Sequence, residues 1–183
     1  MINDWLIPFL KKVKCESFID VGCGYGGLAG MVKAFFPQAK VVGVDISEGY
    51  IRQARESYPD VEFRLADARR LRLKNINVAH THGFLIHVTH RNIKKTIRRI
   101  ARIAKYCLFT ESQGKEQPGT LVYDPKDYWN KRWGKKKPDL IDLNTQYYYC
   151  HDYMKIFKEL GLKVKIIKDW KDNKKTRLYL CQK

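Results

Sequence analysis

The sequence predicts an α/β protein whose core is a doubly wound, mostly parallel β-sheet. Over the first 110 residues, short β-rich runs alternate with helical patterns, which is typical of parallel βαβ units. A turn with four glycines, Gly22–Gly27, follows the first apolar run and leads into the next helical pattern. Isoleucines recur at steps of four, three and three across residues 93–103, so one helix carries an apolar stripe that can face the sheet.

The predicted elements of the first part follow in order. The strands are "SFIDV", "AKVVGVD", "VEFRLAD", "INVAHTH" and "AKYCLFTE". A helix over roughly Gly26–Phe36 is ended by Pro37, and Ser47 is the expected N-cap of a second helix, "SEGYIRQARESY". A third helix, "RNIKKTIRRIARIAK", separates the last two strands, with its basic residues off the isoleucine stripe.

The pattern changes after the fifth strand. Residues 111–150 show no clear period and contain three prolines, so we expect an irregular insert or a lid over one side of a ligand site. "HDYMKIFKELG" then predicts a helix closed by Gly161. Two final strands, "LKVKIIKDW" and "TRLYLCQK", are joined by a connection short enough for an antiparallel hairpin.

Composition indicates one folded domain over residues 1–183. Hydrophobic residues make up 44% and aromatics 13%, enough for a full core. No apolar run could span a membrane, and the first residues lack the order of a signal peptide. Five cysteines without a C-x-x-C pair, and histidines outside finger spacing, favour a reduced, cytoplasmic protein without a metal site.

The formal net charge of +17 is unevenly distributed. Residues 1–90 carry 12 Lys and Arg against 9 Asp and Glu, while residues 91–183 carry 24 against 10. A field of this sign attracts nucleic acid, phosphorylated metabolites or acidic sugars. A lysine-rich solubilising surface is the alternative interpretation.

The glycine turn satisfies G-x-G-x-x-G, and Asp45 ends the next strand, as in dinucleotide-binding proteins. Such glycines also simply permit tight packing. Asp20, just before the turn, would repel a pyrophosphate, whereas S-adenosylmethionine has no phosphate and is cationic. Asp67 is placed to accept a hydrogen bond from an adenine amino group, and Asp45 can hold ribose hydroxyls of either ligand. These carboxylates favour S-adenosylmethionine over NAD.

Over roughly residues 15–110 the sequence resembles the class I S-adenosylmethionine-dependent methyltransferases. "FIDVGCGYG", "VVGVDIS", "LADARRL" and "NVAHTHGFLIHV" are similar to four successive motifs of that family, with Asn77 where many relatives have Asp. The resemblance implies a methyltransferase with a seven-stranded sheet, an antiparallel last strand and S-adenosyl-L-methionine as cofactor. The cofactor-binding residues it implies are Asp20, Gly22, Cys23, Gly24, Tyr25, Gly26, Asp45, Ile46, Asp67, Ala68, His82 and Gly83.

His87 is the candidate catalytic base, because it follows the fourth strand and a neutral imidazole has a suitable pKa of about 6.5. The alternative is that His87 packs under the cofactor. An Asn/Asp-Pro-Pro-aromatic segment, common in base methylases, is missing after that strand. We therefore expect transfer to an O or N atom of a small or medium-sized, anionic metabolite, with Tyr128, Trp129, Trp133 and Tyr148 lining its site.

Residues 123–137 alternate aromatics with cations and support a different interpretation. Such a stretch could stack on bases and meet phosphates, which would make the acceptor RNA or another nucleic acid. The alternatives are a lid over the acceptor side of the site, which we favour, and a loop whose aromatics pack on the sheet. A non-catalytic, cofactor-binding partner subunit is the remaining alternative.

Overall fold

The computed structural model describes residues 3–113, 117–119, 121–123, 147–171 and 176–182. The helices are α1 (Asn3–Lys12), α2 (Gly27–Phe35), α3 (Glu48–Ser57), α4 (His90–Ile103) and α5 (Tyr153–Glu159), with 3-10 turns at Ala68–Arg70 and Leu85–His87. The strands are β1 (Ser17–Val21), β2 (Lys40–Asp45), β3 (Glu62–Leu65), β4 (Ile76–His82), β5 (Ala104–Ser112), β6 (Leu121–Tyr123), β7 (Tyr147–Tyr149), β8 (Lys163–Asp169) and β9 (Thr176–Gln182).

Seven strands form one sheet in the order β3-β2-β1-β4-β5-β9-β8. The neighbouring pairs β3–β2, β2–β1, β1–β4 and β4–β5 are parallel, whereas β9 is antiparallel to both of its neighbours, β5 and β8. The predicted α/β sheet with an antiparallel C-terminal strand is thus confirmed. The strand order reverses direction at β1 and β4, and ligands of open α/β sheets bind outside the carboxyl ends of strands at such a point.

Alternating residues of the strands build two hydrophobic cores. Phe18 and Leu108 belong to one cluster with apolar residues of α1, α2 and α3. Their neighbours Ile19 and Phe109 belong to the other, with the isoleucine stripe of α4 and with α5. Because successive side chains of a strand point to opposite faces, the helices cover both faces of the sheet. This leaves the strand ends as the place for a site.

Several local predictions can be compared with the structure. The Ser47 hydroxyl accepts a hydrogen bond from the backbone N–H of Tyr50, as expected of an N-cap. Gly161 adopts φ +68° after α5, as expected of a helix-ending glycine. Helix α1, with Leu6 and Leu10 fully buried, was not predicted. None of the described helices is long and apolar enough to cross a lipid bilayer.

The predicted insert over residues 111–150 is only partly described. Strand β5 continues through Ser112, and β6 and β7 pair as a separate two-stranded antiparallel sheet. The predicted acceptor-lining residues Tyr128, Trp129 and Trp133 lie outside the described residues. Their roles stay predictions.

Candidate functional site

The glycine turn lies where the topology places a ligand site, between the carboxyl end of β1 and the start of α2. The backbone N–H groups of Gly22 and Cys23 both donate to the carbonyl of Val44, which ties the turn to β2. Gly22, Gly24 and Gly26 have φ angles of +76°, +52° and +81°. Residues other than glycine rarely adopt positive φ angles, so the conformation of the turn depends on these glycines.

The three glycines differ in what surrounds them. A Cβ added at Gly22 would lie 2.4 Å from the ring of Phe84, and one at Gly26 would lie 2.5 Å from the ring of Phe63. A Cβ at Gly24 would meet no atom within 4 Å. Tight packing therefore requires two of these glycines, whereas the space beside Gly24 is open to a ligand.

These surroundings predict different effects of alanine substitution. We expect Gly22→Ala to lower the melting temperature by several degrees, because a left-handed alanine costs about 1–2 kcal/mol before the contact with Phe84 is relieved. Gly24→Ala should lower the free energy of unfolding by the backbone cost alone, because its methyl group meets no neighbouring atom. The methyl group would occupy part of the open space beside Gly24. Paired thermal unfolding and ligand-binding measurements check this. Equal losses of stability in the two variants would contradict it.

The Asp45 carboxylate is held at the carboxyl end of β2. Its Oδ2 accepts from the Gly24 N–H at 3.0 Å, and its Oδ1 accepts from the Ser47 N–H at 2.9 Å. Each oxygen keeps a second lone pair for a donor from a ligand. The next residue, Ile46, is 68% exposed although it is apolar. The two residues together offer acceptors and an apolar surface at one place. Their roles as contacts of a ribose and an adenine stay predictions.

The Asp67 carboxylate is hydrogen-bonded to Arg69, two residues further along the chain, which was not predicted from the sequence. Arg69 donates to both carboxylate oxygens, with Nη2 to Oδ2 at 2.6 Å, and its backbone N–H donates to Oδ1 at 2.8 Å. These hydrogen bonds hold the pKa of the Asp67 carboxyl below its ordinary value. An adenine amino group would have to share this carboxylate with Arg69. Ala68, which begins the 3-10 turn, is buried beside it.

Asp20 lies beneath the turn, almost fully buried. Its Oδ1 is 3.5 Å from Nδ1 of the fully buried His80, whose Nε2 is 3.2 Å from the Thr110 hydroxyl. A neutral His80 can donate from Nδ1 and accept at Nε2, so a chain of polar contacts across three adjacent strands positions Asp20. Asp20 also lines a cleft of about 290 Å³ with residues of the turn and with His82.

Three more residues predicted to bind the cofactor lie in the glycine turn or after β4: Cys23, Tyr25 and Gly83. Cys23 is buried, and burial together with the Asp20 and Asp45 carboxylates raises the pKa of its thiol. The ring of Tyr25 packs against Tyr50 of α3, with centroids 4.4 Å apart. Gly83 has φ +59° and donates its N–H to the carbonyl of Thr110.

The segment that carries His87 is held by two buried ionisable groups. Glu111 of β5, fully buried, accepts from the Thr81 hydroxyl at 2.6 Å and from the N–H groups of Phe84 and Leu85. From the other side, His151 Nε2 lies 2.9 Å from the Val88 carbonyl oxygen, to which it can donate. His87 itself is exposed at the end of the 3-10 turn. Its side chain is therefore exposed at the surface while its backbone is fixed.

Burial changes the titration of both groups. Desolvation raises the pKa of Glu111 to about 7, against the hydrogen bonds from Thr81 and the 84–86 backbone. Desolvation likewise lowers the pKa of His151 to about 4. Sequence reasoning missed both residues as part of the site. A carboxylate at the end of an apolar strand, as in "AKYCLFTE", was the available signal for Glu111.

Strand β7 brings aromatic residues beside the same segment. The ring of Tyr149 lies edge-on to His90, with centroids 5.0 Å apart, and His90 contacts His151 in the same way at 4.9 Å. Tyr148, the remaining predicted acceptor-lining residue, lies half-buried in β7, one residue before Tyr149. Its role as an acceptor contact stays a prediction.

Residues 18–106 match a family model described as a methyltransferase domain. Among curated proteins, a trans-aconitate 2-methyltransferase from Afipia carboxidovorans is 36% identical over 58 residues, which is 32% of this chain and 23% of that protein. One from Azoarcus sp. is 45% identical over 51 residues, 28% of this chain and 20% of that protein. The matches span about a fifth to a quarter of these curated relatives.

Solved structures share the fold. The magnesium protoporphyrin IX methyltransferase of Synechocystis PCC 6803, solved with bound S-adenosylmethionine, superposes with a TM-score of 0.68 at 17% identity. The alignment covers 100% of this chain and 76% of that one. At this identity the likeness establishes the fold, and it agrees with the sheet order described above.

Proposed function

We propose that this chain, whose residues 18–106 match the methyltransferase-domain family, binds S-adenosylmethionine and transfers its methyl group to a small organic acceptor. The cofactor supplies a methyl group already activated on a sulfonium centre. The protein's task is then to hold the two molecules in line and, where the acceptor carries a proton, to remove it.

The observation that carries this proposal is the orientation of the Asp45 carboxylate. Two backbone N–H groups fix it beside the open space at Gly24, and the remaining lone pairs suit a pair of vicinal hydroxyls. The exposed side chain of Ile46 adjoins it and offers an apolar surface for a flat base. Asp20 below the turn adds a negative charge, which favours a cationic ligand over a pyrophosphate.

We assign proton removal to His87. It is exposed, it follows the carboxyl end of β4, and its backbone is fixed through Glu111 and His151. A neutral imidazole can accept a proton near pH 7 from an acceptor hydroxyl or amine. Replacing His87 with Gln should lower the rate of methyl transfer while leaving the affinity for the cofactor unchanged.

For the acceptor we propose a small anionic metabolite. The chain's net charge of +17 attracts anions, and trans-aconitate, in the name of the curated relatives, is itself an organic anion. The ring cluster of Tyr149, His90 and His151 beside the His87 segment offers aromatic walls of the kind that line small-molecule sites.

Thermal unfolding with candidate ligands tests the proposal. At 100 times its Kd, S-adenosylmethionine or its demethylated product should add about 2.7 kcal/mol, roughly 5–10 °C for a domain of this size. NAD at the same concentration should leave the melting temperature unchanged. Stabilisation by NAD, or none by either S-adenosyl compound, would contradict the proposal. Formation of the demethylated product in a panel of organic anions then identifies the acceptor.

A further inference from the structure

A second concave site lies at the opposite edge of the sheet, at the amino ends of β4 and β5. Its volume is about 590 Å³, larger than the cleft beneath the glycine turn. The loop before β4 forms one wall, and the end of α4 with the start of β5 forms the other. Five cationic residues line it: Arg72, Lys74, Arg99, Arg102 and Lys105.

No aspartate or glutamate is among the described residues that line this cleft. Five like charges around one concavity repel each other, and a concave wall of low dielectric focuses their field on whatever enters. The end of α4 accounts for part of this arrangement, because cations near a helix C-terminus are favourable. That effect does not require the cations of the 72–75 loop, which face the same cleft from outside the helix.

Arg99 provides the second observation. Its Nε is buried and has no hydrogen-bond partner within the described parts of the chain. Buried donors are nearly always paired, and a charged donor left unpaired is especially unfavourable. A guanidinium is also the side chain best suited to planar, two-point contact with phosphate oxygens. An anion in the cleft would contact the guanidinium of Arg99, which lines it, and would reduce the repulsion among the five cations.

We propose that this cleft binds a phosphate-bearing anion of more than one negative charge. The site is distinct from the candidate cofactor site, because β4 separates the two edges by seven residues, about 20 Å. The shared chemistry is the phosphate group, carried either by a free polyphosphate compound or by the backbone of an RNA strand. The proposal does not depend on methyl transfer by the protein.

Calorimetric titration of tripolyphosphate into the full chain, at about 0.15 M salt, tests the site. We expect saturable binding that is weakened about tenfold in Arg99→Gln, since a charge-assisted contact is lost. Lys105→Gln, an exposed residue of the same cleft, should weaken binding too and serves where Arg99→Gln does not fold. Arg98→Gln removes the same charge from an exposed position on α4 outside the cleft and should change the Kd less than about twofold.

A short single-stranded RNA distinguishes the two phosphate sources. RNA binding would identify a nucleic-acid backbone if tripolyphosphate competes with it and Arg99→Gln weakens it. A plot of log K against the logarithm of the salt concentration should then have a slope of about −0.7 per phosphate contact. Tripolyphosphate binding without RNA binding would identify a free polyphosphate compound. The proposal is overturned if tripolyphosphate shows no saturable binding, or if Arg98→Gln weakens it as much as Arg99→Gln. Binding of the demethylated cofactor, measured in the same variants, reports on the proposed function separately.

Discussion

Asp45→Ala is expected to weaken binding of S-adenosylmethionine and of its demethylated product by at least about tenfold. The substitution removes an ionised acceptor for the ribose hydroxyls, and hydrogen bonds to charged groups contribute about 1.5–3 kcal/mol each. It also leaves the Gly24 and Ser47 N–H groups without the acceptors that now hold them. The glycine turn then loses its fixed geometry as well as its acceptor. Isothermal titration calorimetry with the demethylated product measures the effect.

Two further variants separate these contributions. Asp45→Asn keeps one amide oxygen as an acceptor at the same position, so its loss of affinity should lie between those of the wild type and Asp45→Ala. Asp60→Ala makes the same change of charge at an exposed turn before β3 and should leave the Kd unchanged. Unaltered affinity in Asp45→Ala, or a loss in Asp60→Ala as large, would show that the ligand is held elsewhere.

The elements predicted correctly are those whose information is local. The strand "INVAHTH" coincides with β4, Ile76–His82, because a compact β-rich run is bounded by turn residues on both sides. Helix α1 was missed, since Pro8 lies in the middle of its ten residues and proline is unfavourable inside a helix. The burial of Leu6 and Leu10 against the sheet stabilises α1, and such packing cannot be read from the segment itself.

The candidate site shows the same division. Asp20 and Asp45 lie at the carboxyl ends of β1 and β2, and the glycines follow β1 directly, so the parallel topology alone brings them to one edge. The capture of Asp67 by Arg69 depends on side-chain geometry, which a motif does not specify. The contacts of Glu111 and His151 with the 84–88 segment join residues 26 to 63 positions apart. No local pattern contains that information.

The stability of the protein should depend on pH through these last two residues, in opposite directions. The pKa of Glu111 is about 7 in the folded protein against about 4.5 unfolded, so the folded state binds that proton more tightly. Its contribution to stability is complete below pH 4.5 and is lost as the pH rises to 7. The pKa of His151 is about 4 in the folded protein against 6.5 unfolded. Its contribution is complete above pH 6.5 and is lost as the pH falls to 4.

Between pH 5 and 6.5 the two effects should therefore nearly cancel in the wild type. Each amounts to about 2 kcal/mol over 1.5 pH units, at 1.36 kcal/mol per unit. Glu111→Gln removes one titration, so the free energy of unfolding should fall by about that amount on acidification from pH 6.5 to 5. His151→Gln keeps an N–H donor for Val88 and removes the other titration, so the free energy of unfolding should rise instead.

Urea unfolding of the wild type and both variants at three pH values across this window measures the slopes. The window lies above the pKa range of ordinary carboxyls, and the hydroxyl of buried Tyr153, whose pKa is raised by burial and then by Glu111, stays protonated throughout. Opposite slopes in the two variants would mean that both groups are held in the folded state as their contacts indicate. If the free energy of unfolding changed with pH in the same way in all three proteins, the assignment would be contradicted. The shifted pKa values of Glu111 and His151 would then contribute nothing to the stability of the folded state.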